Sequence, residues 1–254
     1  MMVWFRRRYL IYLILIIVAL WWSMDMTGFE WRKLTQIGNI YHMVTTRFFP
    51  IEWSLFPRMA YHSLVTLAVA FLGTFLALLV ALPFSFLAAK NTSGSIGMYS
   101  TIRGGLSALR SVPEIVFGLI FVSAFGLGPF AAVLAIILHN IGVLGKLISE
   151  LIEAADLGPQ EAMRSVGATK WVGHLFSILP QIWPNVLSQY FYRFEVAIRT
   201  SLILGFIGGG GIGQQLFNHF QSFYYTAVAL DIVLIMIMVI VVDFIGGRIR
   251  ARVI

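Results

Sequence analysis

The chain contains no cysteine, which excludes disulfides, thiolate metal sites and a cysteine nucleophile. Charge is almost as scarce: 11% of the 254 residues are Asp, Glu, Lys or Arg, against about 25% in an ordinary globular chain. No G-x-x-x-x-G-K-[ST] occurs, so the chain is not itself a P-loop ATPase, and no H-E-x-x-H occurs either. His139 has no nucleophile at helical spacing, which leaves no catalytic residue and no metal site to nominate. A basic recognition helix is missing, and with it the case for nucleic acid as a partner. A gradient-driven carrier would bring paired internal repeats or a proton relay, and no repeat is visible. What is present is apolar: 59% hydrophobic residues and a mean hydropathy of +0.87. The composition defines an integral membrane protein whose helices form an all-α, polytopic bundle in contact with membrane lipid.

Runs long enough to cross about 30 Å of hydrocarbon need about 20 apolar residues each, and six segments qualify. They run approximately Tyr9–Met24, His62–Ala89, Val112–Leu127, Phe130–Leu147, Asn185–Ile207 and Thr226–Ile245. The first follows Arg6, Arg7 and Arg8 but ends in Trp21-Trp22-Ser23-Met24-Asp25, with no small-residue cleavage site, and reads as an uncleaved anchor. Residues 1–60 form that anchor and an extracytoplasmic segment; residues 61–254 form the main transmembrane domain, with a cytoplasmic loop over 154–184. Of the 18 Lys and Arg, twelve fall in segments on the N-terminal side of the membrane and four, Arg32, Lys33, Arg47 and Arg58, on the other. Cytoplasmic loops carry the excess of basic residues, which predicts the N-terminus and C-terminus inside.

The same topology makes residues 148–184 cytoplasmic, and within them "EAMRSVGATKWVGHLFSILPQIWP" (161–184) is polar and internally ordered. Gly158-Pro159 starts one short helix, Gly167 suits a left-handed cap, Thr169 can cap a second helix and Pro180 limits it. By spacing alone this is either a loop helix lying on the membrane surface or a projecting elbow.

The stretch resembles the EAA motif of ABC-importer permeases, with Glu161, Ala162, Gly167, Leu179 and Pro180 matching and Met163 and Ser177 departing from the pattern. The likeness extends through "PFSFLAAKNT" (83–92), "RSVPEIVFGLIFV" (110–122) and "GLGPFAAVLAIILHNIGVLGKLISELIE" (126–153) to "LPQIWPNVLSQYFYRFEVAIRTSLILGFIGGGGIG" (179–213). Together these resemble the phosphonate and phosphite importer permeases over roughly residues 60–250. The resemblance implies a type I importer fold, a homodimer, and two ATPase subunits that dock on the elbow and use ATP and Mg. It also implies an extracytoplasmic substrate-binding protein, a bacterial inner-membrane location, and no cofactor held by this chain.

Charges inside a membrane usually face a cavity or a partner. Glu195 and Arg199 are one turn apart in the fifth span and can pair, in a stripe with Ser188 and Tyr192. Arg193 lies on another face with Gln189, Asn185 and Thr200. Arg110 and Glu114 have the same one-turn spacing at the start of the third span, and His139 and Asn140 fall near the centre of the fourth. Arginine suits an oxoanion because its planar fork grips two oxygens, so Arg199, Glu195, Arg193, His139, Arg110 and Glu114 are candidates to line a translocation pathway. The alternative for each is a structural ion pair or interhelical hydrogen bond. Gly208, Gly210 and Gly213 in "GFIGGGGIG" match G-x-G-x-x-G, but with no βαβ context they make a close-packed bend rather than a nucleotide site; by resemblance the bend lies near the outer gate.

Overall fold

The computed structural model describes residues 7–253 of the chain. Arg6 lies outside the described residues, as do the side chains of Arg7, Arg8 and Arg252. The chain divides into two compact units, Met1–Phe49 and Pro50–Ile254. Among the described residues every regular element is helical.

The first unit holds α1 (Arg7–Thr27), a short α2 (Trp31–Leu34) and α3 (Ile37–Arg47). Leu, Ile and Val fill α1 on every face, the composition of a helix whose solvent is lipid. The second unit opens with a 3₁₀ turn at Trp53–Leu55, then α4 (Phe56–Ala88), α5 (Ile96–Ser111), α6 (Glu114–Phe125) and α7 (Pro129–Ala154). After α8 (Gly158–Ser165) and α9 (Lys170–Gly173) come α10 (Leu179–Phe206), α11 (Gly211–Gln221) and α12 (Tyr225–Val253).

Among the described residues five segments are long and apolar enough to span a membrane, and a sixth is completed only by joining α5 to α6 across a bend of 83°. The expected third span, Val112–Leu127, is therefore corrected. α6 has 12 residues, a rise of about 18 Å that cannot cross the hydrocarbon alone. Pro113 is the cause: it pushes Val112 into an extended conformation (φ −84°, ψ 123°) and ends α5.

The core is built on α4 and α7, which run side by side because small residues let them approach. Gly73 of α4 faces Ile136 of α7, whose side chain would lie 2.7 Å from an added Cβ, and Ala70 shares a core cluster with Ala132 and Ala135. One cluster, with Met59, Ile136, Ile198, Leu204 and Leu230, joins α4, α7, α10 and α12; a second, with Leu144, Ile148, Ile152, Ile178 and Val186, lies nearer the 155–178 segment. α5 seats on α7 at Gly142, where a Cβ would lie 2.6 Å from Arg110 N and 2.8 Å from Leu106 O. Both are backbone atoms, so Gly142→Ala must push α5 away, at a cost of about 1–3 kcal/mol for overpacking. A lowered thermal midpoint of the purified variant, with Gly104→Ala as a neutral control because nothing lies within 4 Å of its Cβ, would bear this out.

Pro180 does not limit the elbow helix, contrary to the sequence expectation. The chain stays helical from Lys170 to Phe206, but residues His174–Ile178 widen into a π turn. Proline at 180 offers no N–H to the carbonyl four residues back and its ring crowds that carbonyl, and a widened turn relieves both.

Candidate functional site

The break between α5 and α6 takes the backbone carbonyl of Val112 out of the helical hydrogen-bond pattern. Such a group needs a partner. His139 of α7 supplies it, Nδ1 lying 3.0 Å from Val112 O. A carbonyl only accepts, so Nδ1 carries the hydrogen. The other ring nitrogen, Nε2, faces Glu114 Oε1 at 3.3 Å. Arg193 of α10 closes the group: Nη2 is 3.4 Å from the same Glu114 oxygen, and Nε donates to Asn140 Oδ1 at 2.9 Å. Asn140 passes the chain on to Thr74 Oγ1 of α4 at 3.4 Å. Four helices are thus tied at one level by a guanidinium, a carboxylate, an imidazole, an amide and a hydroxyl.

The candidate pairs do not form as spaced. Arg110 and Glu114 sit on either side of the bend, with Arg110 exposed at the end of α5 and Glu114 committed to His139 and Arg193. Glu195 and Arg199 share a helix face, but each finds its partner across the interface on α12. Arg199 Nη2 donates to both carboxylate oxygens of Asp243 at 3.2 Å, and Glu195 pairs with Arg250. The expected Glu195–Arg199 pair is replaced by a two-rung ladder between antiparallel helices. Its rungs differ: Glu195 is buried, whereas the Arg199 and Asp243 side chains are 53% and 42% exposed. Asp243 and Arg250 were not singled out from sequence, although they lie seven residues apart on one face of the last span.

Residues 155–178 form the elbow. Pro159 lies in the first turn of α8, and Gly158 N bonds Asp156 Oδ1 at 3.0 Å. Gly167 at φ +83° terminates α8 with two bonds, Gly167 N to Arg164 O (3.0 Å) and Ala168 N to Met163 O (3.1 Å), the paired pattern of a Schellman cap. Thr169 holds the N-cap position of α9 in an extended conformation, without a side-chain capping bond. A residue with no sequence signal locks the base: Gln181 accepts from Asp156 N (3.0 Å) and donates to Asp156 O (3.2 Å) and Ser177 O (2.7 Å). The His174 ring stacks on Phe86 of α4 at 5.9 Å. Glu161 and Ala162 are exposed, beside Val166, Trp171 and Phe176, which are 78%, 58% and 71% exposed. Leu179 is half-buried and Pro180 exposed at the start of α10.

The glycine run forms the bend between α10 and α11. Gly208, Gly210 and Gly211 take φ of +95°, +77° and +71°, a region costly to residues with a Cβ. Gly128 N donates to Gly208 O at 2.8 Å, Pro129 abuts Gly210, and Gly213 is packed against the Leu202 backbone. Thr66 Oγ1 accepts from Ile212 N at 3.0 Å. Close by, His219 Nδ1 meets Asp231 Oδ2 at 2.7 Å and joins α11 to α12, with Asp231 fully buried; this pair too was missed from sequence.

A broken third span, a projecting elbow and a glycine bend at the opposite end define the class. The fold is that of type I ABC-importer permeases: it matches a chain of the MetNI methionine ABC transporter in an inward-facing conformation with a TM-score of 0.70 and 23% identity, over 80% of this chain and 100% of that one. Residues 81–254 match the family described as "Binding-protein-dependent transport system inner membrane component", and the chain belongs to that family. It is a multi-pass membrane component of a transport system, not an enzyme. Among its relatives, the phosphate-import permease protein PhnE of Mycolicibacterium smegmatis is 33% identical over 224 residues, 88% of this chain but 41% of that protein. The phosphite transport system permease protein PtxC of Stutzerimonas stutzeri is 40% identical over 185 residues, 73% of this chain and 67% of that one. The chain thus spans less than half the length of the mycobacterial relative and about two thirds of the pseudomonad one.

Proposed function

We propose that this chain is the permease subunit of an ATP-driven importer for a phosphorus oxoanion: phosphonate, phosphite or a phosphate ester. It acts as a homodimer with two ATPase subunits on the elbow side and an oxoanion-binding protein on the other. The observation that carries the reading is the elbow, a rigidly capped and clamped two-helix projection that presents Glu161 beside exposed apolar side chains. Such a surface suits docking in a groove of another protein. ATP and Mg belong to the docked subunit. The relatives' substrates support the choice of oxoanion, and selection among oxoanions falls mainly to the external protein. The basic residues favour the N-terminus, the elbow and the C-terminus inside; reporters fused after Gly167 and near Asn39 separate this orientation from its reverse.

The test is uptake of radiolabelled phosphonate or phosphite into proteoliposomes holding the permease, its ATPase and its binding protein. Uptake that needs ATP supports the reading; uptake driven by an ion gradient with the ATPase absent defeats it.

Within that function, Arg199 belongs to the pathway. Its ion pair with Asp243 is half exposed on helices that cross the membrane, and charges there face water or a partner rather than lipid. Arg199→Gln therefore lowers uptake with the complex intact, and Arg199→Lys restores only part of it because lysine keeps the charge and loses the fork. Asp243→Asn frees the guanidinium and slows anion release. Parental uptake by Arg199→Gln would make the pair structural.

A further inference from the structure

Residues 28–52 connect the end of α1 to the start of α4, so both ends of this stretch are tied to membrane-crossing helices. Its principal element is α3, Ile37–Arg47, which buries none of its residues against the protein. At 100° per residue, Ile37, Ile40, Tyr41 and Val44 fall within an arc of about 100°, and Asn39, His42, Thr45 and Thr46 occupy the other side. The Thr45 and Thr46 hydroxyls fold back onto the carbonyls of Tyr41 (2.9 Å) and His42 (2.6 Å). Ile37, Ile40 and Tyr41 are 61%, 59% and 73% exposed. Val44 is 37% exposed, so most of the stripe is uncovered, and an apolar stripe of this width needs a cover.

We infer that α3 is an interfacial helix, lying in the plane of the membrane with its Ile37–Ile40–Tyr41–Val44 stripe in the headgroup and acyl boundary. Three features point to lipid rather than to protein. The helix is tethered on both sides to spans, so the membrane surface is always within reach. Aromatic residues flank it along the chain: Trp21 and Trp22 near the end of α1, Phe29 edge-on to Trp31 (4.9 Å between centroids), and Trp53 before α4. Tryptophan and tyrosine concentrate at this depth. Arg32 and Lys33 stand exposed in α2; Lys33 pairs with Glu30 at 3.0 Å, and the Arg32 guanidinium complements lipid phosphates. This inference needs only that α1 and α4 span the membrane; it is independent of the substrate and of the ATPase.

The lack of native cysteine makes the test direct. Single variants Ile37→Cys, Ile40→Cys and Val44→Cys on one face, and Asn39→Cys, His42→Cys and Thr46→Cys on the other, are labelled with an environment-sensitive fluorophore. The full chain is reconstituted alone in vesicles of phosphatidylethanolamine and phosphatidylglycerol, and quenching by a nitroxide-bearing lipid is compared with quenching by aqueous iodide. The apolar-face labels should favour the lipid quencher over iodide by about threefold relative to the polar-face labels, the contrast of a helix half immersed in the interface. Equal ratios on the two faces would overturn the assignment. So would apolar-face labels shielded from both quenchers, which would mean a protein cover from this chain or a second copy.

Discussion

Arg193→Leu is expected to destabilise the transmembrane bundle by about 3–5 kcal/mol, the range for removing one member of a buried ion pair. Arg193 is 9% exposed, and its guanidinium serves Glu114 and Asn140 together. Its removal leaves a carboxylate beside the helix break with only His139 to answer it, and it cuts α10 out of a network that also holds α4 and α7. Arg193→Lys keeps the charge but cannot reach both acceptors in one plane, so it should fall between parent and leucine variant. Thermal unfolding of the purified chain measures the loss. The sharper check is a double-mutant cycle: with Glu114→Gln already in place, Arg193→Leu should cost much less than it does alone. Additive effects would show that the two side chains do not depend on each other.

Gly167→Pro should abolish ATP-driven uptake while leaving the chain inserted in the membrane. Proline fixes φ near −65°, whereas Gly167 sits at +83°, and the substitution also deletes the bond from Gly167 N to Arg164 O. The α8–α9 corner must then open, which changes how α8 and α9 are set relative to each other. A graded series isolates the backbone as the cause. No atom lies within 4 Å of a Cβ built on Gly167, so Gly167→Ala bears only the left-handed penalty of about 1–2 kcal/mol and should keep partial uptake. Gly167→Asn, whose side chain tolerates that conformation, should keep more. Equal uptake by all three variants would remove the elbow's shape from the coupling reaction.

Features governed by local chemistry were legible in the sequence. The apolar runs are set by composition, and the α8–α9 corner by a glycine with helix formers on both sides. The glycine bend is set by a run that tolerates positive φ. Contacts that depend on which helix stands opposite were not legible. The one-turn spacing of Glu195 and Arg199 reports a shared face, yet Asp243 and Arg250 approach that face from α12 and take both partners. The expected last span stops near Ile245, whereas the helix runs on to Val253 and carries Arg250 with it. Pro113 was in plain view, but α5, with Arg103, Arg110 and three glycines, does not read as half of a span. Its membrane character comes from packing on Gly142 and Gly145 of α7. Gln181 carries no signal until the loop closes and brings Asp156 to it.

The π turn at His174–Ile178 amounts to one surplus residue between the elbow and α10. A helix advances about 100° in azimuth and 1.5 Å in height per residue, so that single residue sets the compass bearing of α8 and α9 about the α10 axis. Deleting Phe176, which is 71% exposed, would let the turn tighten to ordinary α geometry and swing the elbow by about a quarter of a revolution. Glu161 would then point toward a different neighbour with its own local structure unchanged. The phase of the projection is thus adjustable in discrete steps by insertion or deletion at one point, with the α8–α9 corner itself left unchanged.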